Sequence, residues 1–104
     1  YNTSLGVWAG TSILNNQNIC VGYASGYPES AGNRLTTGSQ NILIGCDTGV
    51  HNNGAINSIV LGHQAIGVGN NSVQLGNPNI SSFSAGSFVS FDMTKHNFFI
   101  GNPK

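Results

Sequence analysis

The sequence has 104 residues, the size of a single domain, and only 6% of them are charged, against roughly 25% in ordinary domains. Its formal net charge of zero argues against a nucleic-acid partner, which requires a basic face, and no apolar run approaches the about 20 residues of a membrane span. Because the chain starts at Tyr1 with neither Met nor a signal peptide, we expect a piece of a longer protein.

A short repeat runs through the chain. Each copy begins with a polar residue, continues through an apolar-x-apolar step and ends at a glycine, which we call the anchor glycine. The anchor glycines are Gly6, Gly22, Gly45, Gly62, Gly76 and Gly101. The clearest copies are adjacent, because NSIVLG at 57–62 restarts as NSVQLG at 71–76, after 14 residues. Self-similarity of this kind is the signature of a repeat architecture.

Each copy has the pattern of a short strand that turns a corner. Apolar residues two positions apart, such as Ile42 and Ile44, face the same side of a strand, and we expect that side to be the inner one. The glycine permits a bend that a side chain would obstruct. Small residues, namely Ala9, Ser25 and Thr48, then face inward on the return leg. The frequent glycines oppose helix, so the predicted fold is all-β, a β-solenoid of stacked coils.

The steps between anchor glycines that exceed 14 residues predict loops outside the coil. The largest polar insertion spans 27–40, and a smaller one spans 50–56. Residues 1–76 form the predicted β-roll repeat region. Residues 77–104 have few repeat features, and we expect a transition or capping segment that ends in a further repeat-like strand.

Two sets of repeats resemble known fibre proteins. NSIVLGHQAIGVGN and NSVQLGN are similar to head repeats of trimeric autotransporter adhesins. NICVGYASGY, TTGSQNILIGCDTG and KHNFFIGN resemble repeats in tail-fibre proteins of phages and other large viruses. The resemblance covers about 2–76 and, less closely, 95–104. It implies a left-handed parallel β-roll, a homotrimer wound around one axis, and attachment at a virion surface or bacterial cell surface. Three of the four steps between Gly6 and Gly76 exceed the adhesin period of 14 residues, which argues against a perfectly regular roll.

The chain itself also predicts a trimer. If the paired apolar residues face inward, the residues between them, which include Leu43, Val60 and Phe99, face outward and need cover from a neighbouring chain. A small domain with so sparse a core is marginal alone. The alternative is a monomer with a few exposed apolar side chains, which is common.

Residues that carry chemistry are few. Cys20 and Cys46 lie at different places in their copies, an offset of roughly 10 Å along a strand, so we expect free thiols. A disulfide in an extracellular protein is the alternative. His51, His63 and His96 lack the spacing of a metal site, although one histidine from each of three chains meeting on an axis is an alternative. We predict no metal and no cofactor.

An enzymatic role is disfavoured. Glycosidases usually need a pair of carboxylates, whereas Glu29, Asp47 and Asp92 are scattered over different copies. We therefore predict no enzymatic activity, and a catalytic depolymerase is the remaining alternative.

The predicted function is a structural and adhesive module of a trimeric surface fibre, which attaches to a host or cell surface through a glycan or protein receptor. Binding residues usually lie on loops that a rigid scaffold positions, and glycans engage aromatic and polar groups. The candidate receptor-binding residues are Trp8, Tyr23, Tyr27, Arg34 and His51. The alternative for the aromatic residues is packing under the loops, and the alternative for the chain is a purely structural spacer or stalk. We expect deletion of 28–38 to leave the trimer folded but to weaken its attachment to the natural host surface.

Overall fold

The structure is a computed structural model that describes residues 1–84 and 86. These residues form a β-solenoid in which five successive coils each contribute one strand to a parallel sheet, in chain order. The strands are β1 (Thr3–Leu5), β2 (Ile19–Val21), β3 (Ile42–Ile44), β4 (Ser58–Leu61) and β5 (Ser72–Leu75). The predicted all-β solenoid is therefore confirmed for this part of the chain. The boundary at residue 76 stays a prediction, and the strand expected before Gly101, with Phe99, His96 and Asp92, lies outside the described residues.

Equivalent positions of the repeat lie side by side in adjacent coils. Ile19 pairs with Ile42, which pairs with Ile59 in the next strand. The hydrogen bonding continues past the strands, because the amide of Gly45 donates to Val21 O at 2.9 Å. The return legs are also bonded, since the amide of Gly49 donates to Ala65 O at 3.0 Å. The strands and return legs therefore stay aligned although the coils differ in length. The additional residues of the longer coils lie between the return leg and the next strand.

The anchor glycines make the corner, as predicted. Gly45 has a φ of 137°, a conformation that side chains rarely adopt, and a Cβ there would lie 2.5 Å from the carbonyl oxygen of Gly62. Two positions after each of the first four anchor glycines, the backbone is left-handed again. These residues are Trp8 (φ 63°), Ala24 (φ 54°), Asp47 (φ 63°) and Gln64 (φ 55°). After Gly76 the equivalent residue is Pro78, whose ring holds φ near −65°, so the same corner cannot form.

The side of each strand that faces the core is the opposite of the predicted one. Leu43 and Val60 are completely buried, whereas Ile19 and Ile44 are 37% and 42% exposed. The paired apolar residues thus face outward, and the residue between them fills the interior. This prediction was wrong because it ranked the two faces by hydrophobicity alone and ignored the polar residue that starts each copy.

That polar residue belongs to a ladder formed by Asn2, Asn18, Asn41 and Ser58, which we call the asparagine ladder and which is buried at all of these residues except the exposed Asn2. The side-chain oxygen of Asn2 accepts the amide of Asn18 at 2.9 Å, that of Asn18 accepts the amide of Asn41 at 3.1 Å, and that of Asn41 accepts the amide of Ser58 at 2.9 Å. Because side chains alternate between faces, an inward asparagine places the residue two positions later, such as Leu43, inward as well.

The core is built from small and medium side chains. The buried apolar cluster consists of Cys20, Leu35, Leu43, Val50, Ala55, Val60 and Ala65. On the return legs, Ser25 and Thr48 are buried as predicted, and the Ser25 hydroxyl donates to Leu43 O at 2.8 Å. Small residues at these positions leave room for the larger side chains from the sheet.

The 27–40 segment is not a loop outside the coil. Leu35 is completely buried in the core, and Asn33 forms an antiparallel bridge with Val50. The 50–56 segment likewise contributes Val50 and Ala55 to the core. Contrary to the expectation from sequence, we therefore expect deletion of 28–38 to destabilise the fold, because the deletion removes a core side chain.

Both cysteines are free, as predicted. Cys20 is aligned with Leu43, not with Cys46, which lies past the corner and is half-buried. Burial raises the pKa of the Cys20 thiol to about 11, against a weaker opposing effect of its contact with Ser25. Cys20 is therefore a protonated core residue at neutral pH.

Gly45→Ala tests the corner. We expect a loss of more than about 2 kcal/mol in the free energy of unfolding, because the variant combines a strained backbone with a collision against the next coil. Gly69→Ala is the matched control, since a Cβ at Gly69 meets nothing within 4 Å. Urea denaturation of both variants measures the difference, and equal stabilities would contradict the corner.

Asn41→Ala tests the asparagine ladder. The substitution leaves the buried amide of Ser58 without its partner, and it removes one of two donors to the carbonyl oxygen of Ala55, which retains the Ser39 amide. We expect a loss of at least about 3 kcal/mol by denaturant unfolding. Asn52→Ala serves as control, because the exposed Asn52 side chain makes a local bond to the Gly54 amide. A similar small loss in both variants would show that the ladder is dispensable.

Candidate functional site

Two aromatic side chains from adjacent coils meet at the corner of the solenoid. Trp8 lies two positions after one anchor glycine and Tyr23 lies one position after the next. Their ring centroids are 5.6 Å apart with an interplanar angle of 35°. The two residues are 49% and 41% exposed, so the pair presents an aromatic surface to solvent.

The backbone at Trp8 is unusual for so large a residue. Its φ of 63° is left-handed, which is rare for bulky side chains. Ala24, Asp47 and Gln64 adopt the same conformation at the equivalent corners. The coil therefore requires this conformation at every corner, but it does not require an indole there.

A carboxylate lies beside the aromatic pair. The Tyr23 hydroxyl donates to Glu29, at 3.1 Å and 3.2 Å from its two carboxylate oxygens. Partial burial, together with the hydrogen bond to Glu29 and its negative charge, raises the pKa of Tyr23. Tyr23 therefore remains a protonated donor, and the exposed Glu29 carboxylate keeps acceptor capacity for a further ligand.

Asp47 holds the Glu29 segment in place. The amide of Glu29 donates to one carboxylate oxygen of Asp47 at 2.5 Å, and the Ser30 hydroxyl donates to the other. Burial by itself raises the pKa of Asp47, but hydrogen bonds from Ser30, Glu29 and Gln64 outweigh it, and the pKa lies below its usual value. Asp47 is thus an ionised structural residue whose two oxygens are both occupied.

The remaining predicted binding residues lie in and beside the same segment. The guanidinium carbon of Arg34 is 3.8 Å from the ring centroid of Tyr27, a cation–π arrangement. His51 is half-buried and its Nδ1 atom is buried without a hydrogen-bond partner among the described residues. Within the described residues, His51 forms no hydrogen bond or ring contact with the Trp8–Tyr23 pair or with the Tyr27–Arg34 pair. The structure therefore assembles four of the five predicted residues into two pairs and leaves His51 apart.

Sequence reasoning missed Glu29 as a partner of the aromatic pair. Glu29 was considered only as a candidate catalytic carboxylate. Its contact with Tyr23 depends on an irregular turn that carries no repeat signal, and only the separation of six residues hinted at proximity.

The outer side of the sheet is a second candidate surface. The outer apolar face consists of Leu5, Ile19, Val21, Ile42, Ile44, Ile59, Leu61, Val73 and Leu75. Exposure reaches 68% at Leu5 and 57% at Val73. At one end, Ile80 and Phe83 lie across Leu61 and Leu75 and enclose a groove of about 450 Å³. The chain thus begins to cover this face with its own apolar side chains, but leaves most of it open.

Among residues 1–84, the His, Cys, Asp and Glu side chains form no group of three that could hold a metal ion. In the same range, no helix has the length and apolar character needed to cross a bilayer.

Comparison with protein-family models, with curated proteins and with solved structures gives no match for this chain.

Asp47→Asn tests the structural carboxylate through pH. A lowered folded-state pKa contributes stability that is present above the unfolded pKa, near 4, and is lost as pH falls through the folded pKa. Asparagine tolerates the left-handed backbone at this corner. We expect the variant to melt below the wild type at pH 7, and the difference in Tm to shrink progressively below about pH 4. A difference that stays constant with pH would contradict the assigned role.

Proposed function

We propose that this chain is a structural and adhesive module of a trimeric surface fibre, wound as a left-handed β-roll and displayed outside the cell on a virion or a bacterial surface. The observation that carries the proposal is the outer apolar face. The resemblance of the repeats to adhesin heads and viral tail fibres supports three chains, left-handed winding and a role in attachment.

The outer apolar face calls for cover by another molecule. Every strand is hydrogen-bonded into a parallel ladder, and the asparagine ladder fixes which side chains point inward. The exposed residues therefore cannot turn into the core, which Leu43 and Val60 already fill. Contiguous apolar patches of this kind are rare on soluble monomers and mark interaction sites. A second copy offers the same row of side chains at the same spacing of about 4.8 Å, so copies match coil by coil.

The aromatic corner favours adhesion over a purely structural spacer. A spacer needs the coil and its interface, but it has no use for a half-exposed indole in a rare backbone conformation. The carboxylates add no support for catalysis, because both oxygens of Asp47 are engaged by its own chain. The spacer remains the second candidate function, since the fold and the outer apolar face serve it equally well.

Ile44→Glu tests the assembly. We expect the wild type to show a mass of three times the 10.8 kDa chain by light scattering, and the variant to dissociate, because the charge would lie in the interface. Val68→Glu is the matched control, since Val68 is 66% exposed but lies outside the outer apolar face. A wild-type mass near 10.8 kDa at micromolar concentration would refute the trimer.

Attachment is tested with the trimer itself. A labelled wild-type trimer is expected to bind host or cell surfaces, while a folded trimer that binds none would favour the spacer.

A further inference from the structure

The geometry of the aromatic corner points to a site for a neutral carbohydrate. Trp8 and Tyr23 hold the apolar face of a pyranose ring, and the Glu29 carboxylate accepts hydrogen bonds from its hydroxyls. This inference rests on the proposed adhesive function and specifies the class of ligand.

The arrangement of the two rings suits a flat ligand that stacks from outside. A group held between two rings needs about 7 Å between them, twice the contact distance of roughly 3.5 Å, whereas these centroids are 5.6 Å apart. The two rings are therefore too close together to enclose a cation between them. The outward surface remains, and its electron-rich ring faces attract the weakly positive C–H groups of a sugar face.

The charges around the pair select a neutral ligand. Glu29 is exposed and, when ionised, acts only as an acceptor, which suits hydroxyl donors. The ionised carboxylate of Asp47 lies against the amide of Glu29 and adds negative charge. Arg34, the only Lys or Arg among residues 1–84, is stacked on Tyr27 and forms no ion pair with Glu29 in that range. Sialylated, sulfated and uronic sugars are consequently repelled.

The backbone supplies an independent argument. The corner positions equivalent to Trp8 hold Ala24, Asp47 and Gln64, which satisfy the same left-handed turn with smaller side chains. The corner therefore forms without an indole, and the exposed ring surface of Trp8 is the property that distinguishes this corner from the others.

The single tryptophan provides a direct readout. The full chain is titrated with lactose and methyl mannoside as neutral probes, with sialyllactose and a heparin oligosaccharide as anionic probes, and with choline as a cationic probe. We expect a saturable change in Trp8 fluorescence in the millimolar range with at least one neutral sugar, as ligands of this size allow, and none with the other probes.

Three variants separate binding from folding, with binding followed by saturation-transfer NMR of the sugar. Trp8→Asn keeps a residue that tolerates the left-handed turn, so we expect an unchanged mass and an unreduced Tm but at least a tenfold loss of sugar binding. Glu29→Gln should weaken neutral sugars severalfold and admit sialyllactose. Asn52→Ala, which changes an exposed side chain that accepts a local hydrogen bond from the Gly54 amide, is the control and should leave neutral-sugar binding unchanged.

Each other outcome overturns the inference in a recognisable way. Saturable choline binding would make the corner a cation site, and preference for anionic sugars would refute the charge argument. A change of mass in Trp8→Asn would show that the pair is a subunit contact. A wild-type trimer that attaches to surfaces but binds no neutral sugar would refute the carbohydrate site alone, whereas a trimer that attaches to no surface would refute the adhesive function.

Discussion

The asparagine ladder is the constraint on which the rest of the structure depends. The second, third and fourth coils each begin their strand with an amide that no backbone carbonyl of the sheet satisfies, and an asparagine of the preceding coil accepts its hydrogen bond. The side-chain amides donate in turn to return-leg carbonyls, Gly38 O for Asn18 and Ala55 O for Asn41. Buried polar groups are tolerated only when they are paired in this way. The ladder thereby decides which residues fill the core and leaves the isoleucines, leucines and valines of the other side in solvent.

The parallel register follows from the sequence because the anchor glycines mark the same point of every coil. The choice of inward face does not follow from hydrophobicity, because Ile42 and Ile44 are more apolar as a pair than Leu43 is alone. The correct choice was available in a different feature. Asparagine recurs four residues before an anchor glycine, at Asn2, Asn18 and Asn41. An asparagine that recurs at a fixed position of a repeat indicates a structural hydrogen bond.

The candidate site is predictable where it uses the repeat and unpredictable where it does not. Trp8 and Tyr23 occupy neighbouring corner positions in successive copies, so their contact follows from the register. Glu29 and Leu35 belong to the longest step, where no period indicates which residues turn inward. A polar composition around Leu35 predicted a loop, but one apolar side chain is enough to anchor such a segment in a narrow core.

The residue at the corner position after Gly76 has a consequence for the length of the solenoid. A left-handed residue is needed two positions after each anchor glycine, and Pro78 cannot supply it. Proline at that position therefore interrupts the repeated corner, whichever residues the preceding coils carry. Duplication of a unit such as 63–76 would lengthen the stack by about 4.8 Å, because each strand pairs only with the strands of the adjacent coils. The length of the solenoid and the side chains exposed at its corners can then change independently of each other.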